Sequence, residues 1–147
     1  MGRGSVPVTD TIRDRSGSGV SASDLDLLAR HIAEPVDLFR IVKGATRGAP
    51  GVLGSLRSNY ERDATPRGVE RESVLLHLGL SMFVTFDAAA DRALRWPALG
   101  THIALVRLEP GCGFHVAETG ALVHRTVWGR PLQLLACIAD ILPVGAT

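Results

Sequence analysis

The chain has 147 residues, 46% of them hydrophobic and 21% charged, which suits one ordinary domain and excludes disorder throughout. Sixteen basic side chains against fifteen acidic ones leave a net charge of +1. That balance excludes a strongly basic nucleic-acid module and an acidic tail protein as default readings.

Residues 1–22 hold four glycines, four serines and no aromatic residue. Too little apolar area is present to offset backbone ordering, so a flexible tail is expected there. A single domain is expected over 23–147. No apolar run reaches the roughly 18 residues of a membrane helix, so no membrane partner is expected. The first residues lack the apolar core of a secretory signal. Cys112 and Cys137 are the only cysteines and do not form a CxxC pair. These features predict a cytoplasmic protein without a disulfide framework.

The spacing of Leu25, Leu28 and Ile32 predicts a helix over Ser23–Ala33, capped by Ser23 and ended by Pro35. Val36–Val42 reads as a strand with Arg40 inside an apolar run. From Gly44 to Glu72 the chain carries five glycines and two prolines, so no regular element is expected to run far. Val74–His77 and Gly79–Thr85 follow, the second a strand opening at glycine. Asp87–Trp96 reads as an alanine-rich helix with Asp87 as its cap. Thr101–Leu108, Gly113–Glu118 and Leu122–Trp128 read as strands, with a turn at Thr119–Gly120. Pro131 suits the start of a helical turn through Leu135. Cys137–Val144, with Asp140 its one charge, reads as a buried last strand. The sum is an α+β fold with a mostly antiparallel β core, a few helices and a long polar loop.

Metal chemistry finds little support. His115 and Glu118 have HxxE spacing, but residues three apart on a strand face opposite sides. No metal is expected. The sequence has no phosphate loop, no GxGxxG and no nucleophile elbow. Three separated groups remain: Arg40 on an early strand, Ser81 on the next, and a polar residue further on, Glu118, His124 or Gln133. A charge in the middle of an apolar strand is costly unless it is paired or faces a cleft. Arg40 therefore either pairs with Asp37, sits at an edge, or meets a ligand. Trp128 either packs in the core with its N–H bonded or stacks on a ligand ring.

An arginine late in a first strand, then Gly79–Leu80–Ser81–Met82–Phe83–Val84–Thr85, an alanine-rich helix and Ile103–Ala104–Leu105–Val106–Arg107–Leu108, resemble the ADP-ribosyltransferase-like fold. In that family a first-strand arginine or histidine contacts NAD, a second-strand serine supports the nicotinamide ribose, and a late glutamate bonds the ribose 2′-hydroxyl. The resemblance implies Arg40 and Ser81 in the first two roles and NAD as the cofactor. No glutamate opens the last strand, so Gln133, Glu118 and His124 stand as alternatives for the third role. Arg57–Ser58–Asn59, Pro66–Arg67–Gly68–Val69–Glu70 and His124–Pro131 also resemble small bacterial proteins, mostly actinobacterial, without an assigned activity. Arg57, Ser58 and Trp128 stand beside Arg40 and Ser81 as expected cofactor contacts.

Three readings stay open. The first is an NAD-using transferase domain. The second is a non-catalytic module on the same fold that binds a nucleotide or a protein. The third is an assembly protein that uses an apolar face around the last strand.

Overall fold

The computed structural model describes residues 29–57 and 79–146. The expected tail over 1–22, most of the first helix, Ser58 and the Val74–His77 segment lie outside the described residues. Among the described residues seven strands form one sheet: β1 (Arg30–His31), β2 (Val36–Val42), β3 (Leu80–Phe83), β4 (His102–Leu108), β5 (His115–Glu118), β6 (His124–Trp128) and β7 (Ile138–Pro143). Their spatial order is β1-β5-β6-β3-β2-β4-β7, and every described pairing is antiparallel. Among the described residues three α-helices accompany them: α1 (Pro50–Ser55), α2 (Phe86–Arg95) and α3 (Pro131–Ala136). The coarse expectation of an α+β fold with an antiparallel core holds.

Strand alternation gives the sheet two faces. On one, Leu38 and Val42 of β2 join Leu80, Met82, Val106 and Val127 in the larger core cluster, which Val52 and Leu56 from around α1 and Leu134 of α3 complete. On the other, Ile41, Phe83 and Ile103 meet Ala89 and Ala93 of α2. Alanines at helical spacing let α2 lie close to the sheet. Phe39 and Phe86 meet edge to face at 6.3 Å between centroids, a favoured aromatic geometry.

Four sequence expectations need correction. Arg30–His31 form a strand, not the end of a helix: Arg30 pairs with Val116 and His31 with His115. The His31 and His115 rings lie 3.9 Å apart, so sheet pairing overrides the local helical pattern. Inside the polar stretch, α1 forms with Pro50 at its start, where a missing N–H is harmless. The cap of α2 is Thr85, not Asp87: Thr85 Oγ1 accepts from the Ala88 N–H at 3.1 Å. Asp87 instead sits in the first turn, where its charge suits the helix dipole. Finally, β7 is not buried. It is a sheet edge, paired only with β4 among the described strands, and Ala139, Asp140, Leu142 and Pro143 are exposed. Its composition resembles a core strand, but its position in the strand order leaves one side open.

The joint between β2 and β3 is thin. β2 runs in register with β4 from Val36↔Leu108 to Val42↔His102. It meets β3 only at Phe39↔Phe83. β3 is held on its other side by β6, from Leu80↔Val127 to Phe83↔His124. Gly79 opens β3 because a Cβ there would collide with Thr126 Cγ2 and lie 3.0 Å from the Trp128 ring.

Candidate functional site

Arg40 and Ser81 do meet, though not through the serine hydroxyl. Arg40 projects from β2 on the face of Leu38 and Val42. Its Nε donates to the Ser55 carbonyl at 2.9 Å and its Nη1 to the Ser81 carbonyl at 2.7 Å. The guanidinium thus ties the C-terminal end of α1 to the thin β2–β3 joint. Ser55, itself buried, completes the tie: its hydroxyl donates to the Gly51 carbonyl and accepts from the Lys43 N–H. Of the alternatives for Arg40, the pair with Asp37 does not form. Asp37 accepts from Arg107 through both carboxylate oxygens, at 2.9 and 3.2 Å. That contact holds the Asp37 carboxyl below the usual carboxylate range, and burial opposes it weakly.

The side chain of Ser81 lies on the α2 face, opposite Thr126, and is exposed. Trp128 is completely buried, opposite His115 in the ladder, so its ring offers no open surface. Gln133 is on α3. Both of its amide atoms are buried and make no hydrogen bond among the described residues. Arg57 follows α1 and is exposed. Glu118, on β5, faces away from α2; its carboxylate is 82% exposed and 3.8 Å from Arg125. The expected residues therefore divide between the two faces and do not converge on one point.

His124 is the exception, because it lines a groove. The groove holds about 440 Å³ between α2 and the β5–β6 turn. Ala88, Asp91, Arg92 and Arg95 form its helical wall, spaced so that one stripe of α2 faces it. Trp96, at the end of α2, is 59% exposed and lies along the same wall. Opposite stand Phe83, Gly120, Ala121, Val123 and His124. Gly120 takes φ 66°, a left-handed turn that glycine tolerates. Arg125 braces the turn by donating to the Leu122 and His124 carbonyls at 2.7 and 2.9 Å.

The hydrogen bonds of His124 define its tautomer. Its Nδ1 lies 2.9 Å from the Thr119 carbonyl, which only accepts. Nδ1 therefore carries the hydrogen and Nε2 the lone pair. Thr119 Oγ1 is also 2.9 Å from Nδ1. It is 2.7 Å from Thr126 Oγ1, so the two hydroxyls share a hydrogen bond beside the ring. Phe83 packs its ring against the imidazole at 5.5 Å. Burial pushes the His124 pKa down, and the nearby charges of Arg92, Arg125 and Arg40 push the same way. The Thr119 hydrogen bond opposes them without reversing the direction. These effects favour the neutral imidazole.

Sequence reasoning singled out His124 but missed Arg92, Arg95, Trp96 and Thr119. The signal was present in α2. Its alanines occupy one stripe, and a second stripe of Asp91, Arg92 and Arg95 runs beside it. Comparison with family models, curated proteins and solved structures gives no match.

Proposed function

We propose that this protein is a nucleotide-binding domain without transferase activity, and that the α2 groove takes the ligand. NAD is the first ligand to test, by the resemblance of the β2–β3–α2–β4 segment. The observation that carries the reading is the groove wall itself. An exposed indole, Trp96, stands beside Arg92 and Arg95. A planar base stacks on an indole, and a guanidinium fork binds phosphate. Loss of catalysis follows from the carboxylates. Nicotinamide departure leaves an oxocarbenium-like centre that a carboxylate stabilises. Among the described residues the one carboxylate lining the groove is Asp91, 3.1 Å from Arg95 in an ion pair. Glu118 faces away.

Trp96 and Trp128 are the only tryptophans, so fluorescence tests the reading directly. NAD⁺ should quench emission from the wild type. Trp96→Phe, which retains only the buried Trp128, should show no quenching. Unquenched wild-type emission at millimolar NAD⁺ would overturn the proposal.

A second reading has an observation of its own. Val123, 40% exposed, lines the groove opposite Trp96, and the next residue back along the turn, Leu122, is 89% exposed. Apolar side chains this open suit a protein partner covering the groove. A wild type silent to NAD⁺ favours that reading.

A further inference from the structure

One wall residue of the groove carries the wrong charge for a phosphate contact. Asp91 stands among Arg92, Arg95 and Trp96. A helix turns about 100° per residue, so Asp91 and Arg95 share the outer side of α2, away from the sheet-facing Ala89 and Ala93. Arg92 lies closer to the sheet, and its charge reaches the His124 ring. Arg95 Nη2 is 3.1 Å from Asp91 Oδ2, and both side chains are mostly exposed. A carboxylate has about four lone-pair sites, so one ion pair leaves Asp91 able to accept from a ligand. Arg92 pairs with no carboxylate among the described residues. It is the guanidinium left open for an anion.

We propose that Asp91 makes the groove selective for a nucleotide whose ribose 2′-hydroxyl is free, and against a 2′-phosphate. This rests on the reading of the groove as a nucleotide site with NAD as its ligand. Trp96 continues the helical ladder through its N–H to the Arg92 carbonyl at 3.0 Å. Asp91 is five residues before it, about 7.5 Å along the helix axis. With adenine stacked on Trp96, the ribose lies along the Asp91–Arg95 side of the wall and the diphosphate continues to Arg92.

A carboxylate accepts hydrogen bonds from the hydroxyls of a ribose diol, the chemistry by which an acidic side chain reads a 2′-hydroxyl. A 2′-phosphate in that place would set two further negative charges against the carboxylate, and like charges brought together cost affinity. The counter-charge for such a phosphate is close by but engaged, because Asp91 holds Arg95. Removing the Asp91 charge releases the Arg95 fork, and an arginine beside the ribose accommodates a 2′-phosphate.

The test titrates the full chain with NAD⁺ and, separately, with NADP⁺ at pH 8 and constant ionic strength. The two ligands differ only in the 2′-phosphate, and the readout is quenching of Trp96. Wild type should bind NADP⁺ about tenfold or more weakly than NAD⁺. Asp91→Asn should bind NADP⁺ at least as tightly as NAD⁺. Arg95→Gln, which keeps the carboxylate, should still prefer NAD⁺. Equal affinity for the two ligands in the wild type would overturn the inference and leave the nucleotide reading standing. A preference for NAD⁺ that persists unchanged in Asp91→Asn would also overturn it, by placing the discrimination on another residue. Absence of quenching by either ligand would remove the nucleotide reading, and this inference with it.

Discussion

The two faces of the sheet treat a polar side chain differently. On the α1/α3 face, Arg40 lies among large apolar residues and its N–H groups meet main-chain carbonyls of α1 and β3. On the α2 face, the cluster is small and ends at the β5–β6 turn, so His124 reaches a groove. A half-buried charge in the thick layer becomes part of the architecture because main-chain carbonyls meet its N–H groups. A polar group at the margin of the thin layer has one side held and the other presented. The mid-strand arginine marks a joint, and the histidine lines the candidate groove.

Breaking the thick face should have the largest effect. Arg40→Ala removes the partner of two carbonyls, at Ser55 and Ser81, and should cost about 2–3 kcal/mol in urea unfolding. Arg40→Lys should restore little, since an ammonium cannot reproduce the fork. An unchanged urea midpoint for Arg40→Ala would return Arg40 to the list of ligand contacts. On the thin face, Thr85→Ala removes the cap of α2 and should cost about 1 kcal/mol. It should also weaken the groove wall, so NAD⁺ quenching should fall in parallel.

The smallest effect sharpens the contrast through pH. The His124 pKa is lowered in the folded protein from its ordinary 6.5. The unfolded chain therefore binds the proton first as pH falls, and stability drops below about 6.5. Above that value the group costs nothing. Wild type should lose stability relative to His124→Asn between pH 6.5 and 5, measured by urea midpoints across that range. Parallel curves for the two proteins would show that burial and the arginines do not act on this ring.

Much of the fold is legible in the sequence because its signals are local. β2 and β4 are seven-residue apolar runs bounded by proline or glycine, and α2 has its alanine spacing. Turns carry their glycines. What fails is what depends on partners. Arg30–His31 has no strand signature and becomes a strand only by pairing with β5. β7 has a core composition but occupies an edge. At the site, Arg40 and Ser81 are brought together as a pair of neighbours, yet the contact uses a carbonyl, which no residue pattern announces. The role of His124 depends on Thr119, five residues away across a turn, and on α2, which sequence distance separates from both.

The central claim is that ligand binds at the α2 groove and that Arg40 is structural. The most direct measurement is the thermal midpoint with and without millimolar NAD⁺, for wild type, Arg92→Ala and Arg40→Ala. The account predicts a rise of a few degrees in wild type. It predicts the same rise in Arg40→Ala from a lower starting midpoint, and none in Arg92→Ala. A rise that survives in Arg92→Ala and vanishes in Arg40→Ala would contradict it and put the ligand at the β2–β3 joint.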